Sequence, residues 1–269
     1  MDDLISTEQL QAALDDPDLR IANATAFLPD AGRDARAEHD AGHIPGAVFL
    51  DLADFADVPD AERFAARMRV LGLGQDDRIV VYDDSPLHSA ARAWWLLRMF
   101  GARDVALLDG GLARWKAQGR ALERGGGEPR PGDFAARLNA STLARMADVL
   151  TPGNAEIVDA RSAPRFSGDE PEPRPGVAPG HMPGARNLPQ GKLFAADGTW
   201  KRGDALHAAF TGAGVDLNKP MITTCGSGVT AAVLSFGAGL LGKTDVRLYD
   251  GSWAEWGANE TTPKVMGDA

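Results

Sequence analysis

The feature that most constrains this chain is that it repeats itself. Gly42-His43-Ile44-Pro45-Gly46-Ala47 returns 138 positions later as Gly180-His181-Met182-Pro183-Gly184-Ala185. Ile21-Ala22-Asn23-Ala24 is echoed by Ile157-Val158-Asp159-Ala160, 136 positions on. Leu107-Leu108-Asp109-Gly110-Gly111 is echoed by Leu248-Tyr249-Asp250-Gly251-Ser252, and Trp115 by Trp256, both at 141. Blocks that keep their order while the offset drifts by a few residues mean that one unit was duplicated. A length of 269 residues allows two such units a core each.

The segment Arg124-Gly125-Gly126-Gly127-Glu128-Pro129-Arg130-Pro131-Gly132 separates the copies. Glycines followed by prolines form neither helix nor central strand, so residues 125–132 read as a linker. The domains are then 1–124 and 133–269. In each, short β-branched runs alternate with helical stretches. Arg78–Tyr82 and Val105–Leu108 read as buried strands of the first copy, with a helix over Ala90–Phe100 between them. Ile157–Val158, Met221–Thr224 and Val246–Tyr249 are strands of the second, with an apolar helix from Val229 to Leu241. Such alternation predicts an α/β fold, each domain a mostly parallel sheet flanked by helices, with ligands beyond the carboxyl ends of the strands.

The formal net charge of −10 disfavours nucleic acid and anionic membrane surfaces as partners. No apolar run approaches the ~18 residues of a membrane span. The opening MDDLISTEQL lacks the apolar core of a secretory signal, so a cytoplasmic location is expected. An anionic substrate would need a local cluster of arginines or backbone N–H groups.

The chain has one cysteine, which excludes an intrachain disulfide and any multi-thiolate metal site. By count alone a lone cysteine reads as a small buried hydrophobe. Position argues otherwise. Cys225 follows the strand Met221–Thr224 and opens the loop Cys225-Gly226-Ser227-Gly228-Val229-Thr230 before a helix. N–H groups at a helix start lack intrahelical acceptors, and Gly226 and Gly228 let the backbone curl into a cup that stabilises a thiolate. Ser227 adds a hydroxyl that could donate to a developing anion. Thr230 is equally placed to cap the helix. Gly237, Gly239 and Gly242 read as packing or terminating that helix.

A cysteine phosphatase would need an arginine at the far end of the cup to grip phosphate. No arginine stands between Cys225 and Ala231. A cysteine protease would need a histidine base. His43 and His181 sit in the repeated turns, one per copy, although only one copy has the cysteine; each is read as tying down its turn. No metal or organic cofactor is expected.

The duplicated turn, the Asp-Gly-Gly and Asp-Gly-Ser segments with their tryptophans, and the cysteine loop resemble the rhodanese family of sulfurtransferases in its two-domain form. The resemblance covers nearly the whole chain. It implies two tandem rhodanese-like domains, of which the second is catalytic, and a persulfide carried on Cys225. The loop Cys-Gly-Ser-Gly-Val-Thr-Ala resembles the branch of the family that draws sulfur from 3-mercaptopyruvate. Thiosulfate-preferring members carry basic residues where this chain has Gly226 and Ser227. The resemblance further implies that Arg165 and Arg174 hold a donor's carboxylate and keto group, a planar end that suits guanidinium forks, while Gly226, Gly228, Val229 and Thr230 line the donor site around Cys225 and Ser227. Arg161 is read instead as facing a carboxylate of its own domain.

The sequence departs from the family after Phe49-Leu50-Asp51-Leu52, where many members carry a longer insert with a His-Met-Leu-Pro run. Here Asp57-Val58-Pro59 leads straight to a helix near Asp60. No histidine is therefore assigned to a relay to Ser227. Aligned at 141, Cys225 faces Asp84, so the first copy keeps the scaffold without the nucleophile. The expected partners are a small-molecule sulfur donor and a thiol, thioredoxin or cyanide acceptor. A thiosulfate:cyanide sulfurtransferase and a non-catalytic sulfur carrier or sensor remain as alternatives.

Overall fold

In the computed structural model, residues 1–126 and 129–267 are described, and they fall into two compact units. The first comprises Met1–Asn139 with Asp197–Thr199; the second comprises Ala140–Ala196 and Trp200 onward. The expected linker residues Gly127 and Glu128 lie outside the described residues.

The strands of the first unit are β1 (Leu4–Ile5), β2 (Leu19–Asn23), β3 (Ala47–Phe49), β4 (Arg78–Tyr82) and β5 (Asp104–Leu108). Its helices are α1 (Thr7–Ala13), α2 (Ala35–Ala41), α3 (Ala61–Val70), α4 (Ala90–Met99) and α5 (Gly111–Ala117). The second unit has β6 (Leu143–Ala144), β7 (Glu156–Asp159), β8 (Arg186–Asn187), β9 (Met221–Thr224) and β10 (Val246–Tyr249). Its helices are α6 (Met146–Leu150), α7 (Ala163–Ser167), α8 (Gly203–Gly212), α9 (Ala231–Leu240) and α10 (Ser252–Ala258).

Both sheets are parallel throughout and share one strand order, β1-β5-β4-β2-β3 in the first and β6-β10-β9-β7-β8 in the second. The central strands β4 and β9 are buried apart from Arg78 at the start of β4, as parallel strands covered by helices on both faces are, and the buried Thr223 hydroxyl of β9 is paired with that of Ser235 at 2.8 Å. The repeated motifs do the same work twice. Trp115 and Trp256 are buried, and each indole N–H donates at 2.8 Å to a carbonyl beyond its helix, of Ala121 and of Pro263. His43 and His181 are buried, and each bridges a late segment of its own unit, at Glu123 and Val265. His43 Nδ1 meets His39 O at 2.8 Å, and His181 Nδ1 meets Phe166 O at 3.0 Å. Both histidines are turn anchors.

The first unit runs past the expected start of the second domain at 133. Phe134 is fully buried against Phe64, and its carbonyl accepts from Arg69. The N–H groups of Arg137 and Asn139 donate to Phe100 O and Met99 O, at 2.9 and 2.7 Å. A glycine-proline run ends regular structure, but the aromatic residue after it sets where the chain leaves the core.

Candidate active site

Cys225 follows β9 directly and is 2% exposed. Its loop is shaped by two different demands on glycine. Gly228 has φ +79°, a left-handed conformation costly for any side chain. At Gly226 the demand is space, since a Cβ there would lie 3.0 Å from Arg165 Nη2. The loop's first two carbonyls are taken by α10: Trp253 N donates to Cys225 O and Ala254 N to Gly226 O, both at 2.9 Å. Ser227 N–H points at Cys225 Sγ, 3.4 Å away. Among the described residues, no protein acceptor takes the N–H groups of Gly226, Val229 or Thr230, or the Ser227 hydroxyl. Thr230 occupies the N-cap position of α9, but its hydroxyl makes no cap bond, so the helix begins at Ala231 without side-chain help.

Ser252, legible in the sequence only as part of the repeat, is the hub of the loop. Its Oγ accepts from Cys225 N at 3.2 Å and from Gly228 N at 3.0 Å, and donates to Tyr249 O at 2.9 Å. It lies 4.0 Å from Cys225 Sγ. Ser252 adopts φ +51°, a conformation that a non-glycine residue holds only when its surroundings impose it. The first copy has Gly111 at the matching position, with φ +55° and room for no Cβ, since one would lie 2.5 Å from Asp83 O. The change from glycine to serine between the copies was the signal that could have found this residue.

The first copy also corrects the alignment of the cysteine. Leu112 N donates to Asp83 O as Trp253 N donates to Cys225 O, each at 2.9 Å. Asp83, not Asp84, therefore stands where Cys225 stands. The loop before α4 holds one residue more than the loop before α9, which moves the offset from 141 to 142. Asp83 fills its own cup: its carboxylate accepts from Ser85 N at 3.3 Å and Ala90 N at 2.5 Å. Burial pushes its carboxyl up to about 6.

Beside the cysteine loop runs a file of alternating charges. Arg161 is 1% exposed and binds Asp159 through Nε and Nη2, at 2.9 and 2.7 Å, and Glu172 through Nη1 at 2.7 Å. Burial works against the charge of Arg161, but Asp159 and Glu172 outweigh it and raise its pKa. Arg161 thus serves its own domain, as expected. Arg165 ends the file: Nη2 meets Glu172 at 2.5 Å, and its guanidinium reaches Gly226. The structure brings Arg165 to the loop. It does not do the same for Arg174, which is exposed on the segment after α7, where its guanidinium has no ion-pair partner among the described residues.

The rhodanese-like domain family matches residues 6–118 and again 141–259. The 3-mercaptopyruvate sulfurtransferase of Escherichia coli K12 is 42% identical over 271 residues, covering 96% of each chain. The bovine thiosulfate sulfurtransferase is 38% identical over 271 residues, covering 94% of this chain and 91% of its own. The crystal structure of the 3-mercaptopyruvate sulfotransferase SseA from Escherichia coli superposes with a TM-score of 0.85 at 40% identity, over 93% of this chain and 98% of that one. Duplicated sheet, duplicated motif and family match agree, and the chain belongs to the rhodanese family, with two rhodanese-like domains in tandem.

Proposed function

We propose that the chain is a sulfurtransferase that moves sulfur from 3-mercaptopyruvate through a persulfide on Cys225 to a thiol or cyanide. The observation that carries this reading is a lone thiol in a cup of unpaired N–H groups, with the cation beside it supplied by Arg165 from a neighbouring segment, not by the loop itself. The full-length relatives named for this activity support it.

In the first half-reaction the Cys225 thiolate attacks the donor's sulfur. The S–S bond forms, the donor's C–S bond breaks, and its electron pair passes to carbon as the enolate of pyruvate, which takes up a proton. Arg165 holds the α-keto carboxylate from beside Gly226, and Arg174 joins it only if its exposed segment turns toward Cys225 when the donor binds. The free N–H groups of Gly226, Val229 and Thr230, together with Ser227 and its hydroxyl, line the donor site and stabilise the charge as it develops. Gly228 supplies the bend that presents them. In the second half-reaction an acceptor thiolate or cyanide attacks the outer sulfur and returns Cys225 as thiolate. Thioredoxin fits the thiol acceptor. A thiol that must cycle in this way suits a reducing compartment, so we place the protein in the cytoplasm. Among the described residues no helix is long and apolar enough to cross a membrane.

Intact mass spectrometry after addition of 3-mercaptopyruvate tests the proposal. Wild type gains one sulfur and Cys225→Ser gains none; equal gain by both removes Cys225 from the reaction. The likeness to bovine thiosulfate sulfurtransferase keeps thiosulfate open as a donor. Comparing kcat/KM for the two donors decides, and preference for thiosulfate would overturn the reading of Gly226 and Ser227.

A further inference from the structure

Glu172 is a buried carboxylate that the reaction as written does not use. Its side chain is 4% exposed, and two guanidinium groups converge on it. They depend on it unequally. Arg161 keeps Asp159 through two nitrogens, Gly180 O through Nη2 at 2.9 Å, and the face of Trp253 at 4.5 Å. Arg165 has no acidic partner except Glu172, among the described residues, and meets it through Nη2 at 2.5 Å and Nε at 3.3 Å. That contact occupies one edge of the planar guanidinium. The other edge, Nη1 with the second hydrogen of Nη2, is left for a ligand beside Gly226.

We propose that Glu172 is the positioning residue that sets the orientation of Arg165, and so selects donors that offer a planar, two-point anionic end. Asp159, Arg161, Glu172 and Arg165 carry two negative and two positive charges. The file therefore adds no net attraction for an anion; what it supplies is a fixed fork. A buried ion pair of this kind is better suited to geometry than to stability. The inference rests on the assignment of Arg165 to the donor site.

Two roles for Glu172 predict opposite results. As a positioner, its loss lets Arg165 swing, and planar donors bind worse. As a mere neutraliser, its loss uncovers a positive charge, and all anionic donors bind better. Steady-state kinetics of E172Q, E172D and R165A with 3-mercaptopyruvate and with thiosulfate separate them. Positioning predicts that E172Q raises KM for 3-mercaptopyruvate about tenfold, with a smaller change in kcat and less than about threefold change in KM for thiosulfate. E172D keeps the charge and withdraws the carboxylate by one methylene, so it should also raise KM for 3-mercaptopyruvate. The double variant E172Q/R165A should be no worse than R165A, because the two residues act as one.

A fall in KM for both donors on E172Q overturns the proposal, as does wild-type KM in E172D or a multiplicative effect in the double variant. Should E172Q fail to fold, E172D and its combination with R165A carry the same test. If R165A itself leaves KM for 3-mercaptopyruvate unchanged, the donor-site assignment fails, and the proposal with it. If R165A raises KM and E172D does not, the positioning proposal fails alone.

Discussion

At the scale of single residues, the cysteine was legible and its support was not. Cys225 could be found because a strand end, two glycines and a helix start are all local signals. Ser252 lies 27 positions away in sequence, and its role depends on α10 being packed under the loop. Replacing it separates two effects. Ser252→Ala leaves the N–H groups of Cys225 and Gly228 without an acceptor and keeps the left-handed strain, so stability should fall by about 2 kcal/mol. Ser252→Gly loses the same bonds but relieves the strain, and should fall by less. Urea denaturation measures both, and single-turnover persulfide formation should slow in both as the cup loosens. Gly226 makes a different prediction. Its φ is not left-handed, so Gly226→Ala should change stability by less than ~1 kcal/mol while its Cβ displaces Arg165. A rise of a few-fold in KM for 3-mercaptopyruvate is the expected result, and no change would mean that Arg165 is free to yield.

At the scale of elements, strands were read most closely. Arg78–Tyr82, Met221–Thr224 and Val246–Tyr249 form over the expected residues; the first two are buried along nearly their whole length, and the third is half-buried at Val246 and Arg247 and buried at Leu248 and Tyr249. The two-residue edge strands β1, β6 and β8 carry too few residues for any pattern, and only the register of a neighbouring strand defines them. The helix expected from Val229 begins at Ala231, since Val229 and Thr230 belong to the cup. The loops before α4 and α9 are the same element with different contents, and the first has a cost. Asp83 holds its proton up to about 6 when folded, against about 3.8 when unfolded. Between these values the native state binds more protons, so stability falls as pH rises from about 4 to 6, by roughly 3 kcal/mol. His39 and His88, lowered to about 4 by burial, act in the opposite direction over an overlapping range. Comparing wild type with Asp83→Asn at each pH cancels their contribution. The variant should gain on wild type between pH 4 and 6, and parallel curves would show that Asp83 does not titrate there.

At the scale of the whole molecule, the duplication was legible because the repeated motifs perform repeated structural tasks. The tryptophans, the turn histidines and the strand order recur as pairs. The point where the first unit ends was not legible from composition. Proline and glycine in residues 125–132 end regular structure, yet the chain beyond them continues to build the first core. Phe134 fills a site beside Phe64, which itself stacks on Phe100 at 4.3 Å and lies 5.2 Å from Phe55. Removing the ring leaves a cavity in this aromatic cluster, and Phe134→Ala should cost about 3–5 kcal/mol. The loss falls on the first unit, while Cys225 and the charged file beside it belong to the second. Urea denaturation of the full chain should therefore show an earlier transition, while persulfide formation on Cys225 in the absence of urea stays at the wild-type level. A stability change under ~1 kcal/mol would return the boundary to residue 133, because a segment that merely lies on the surface loses little when its side chain is cut back.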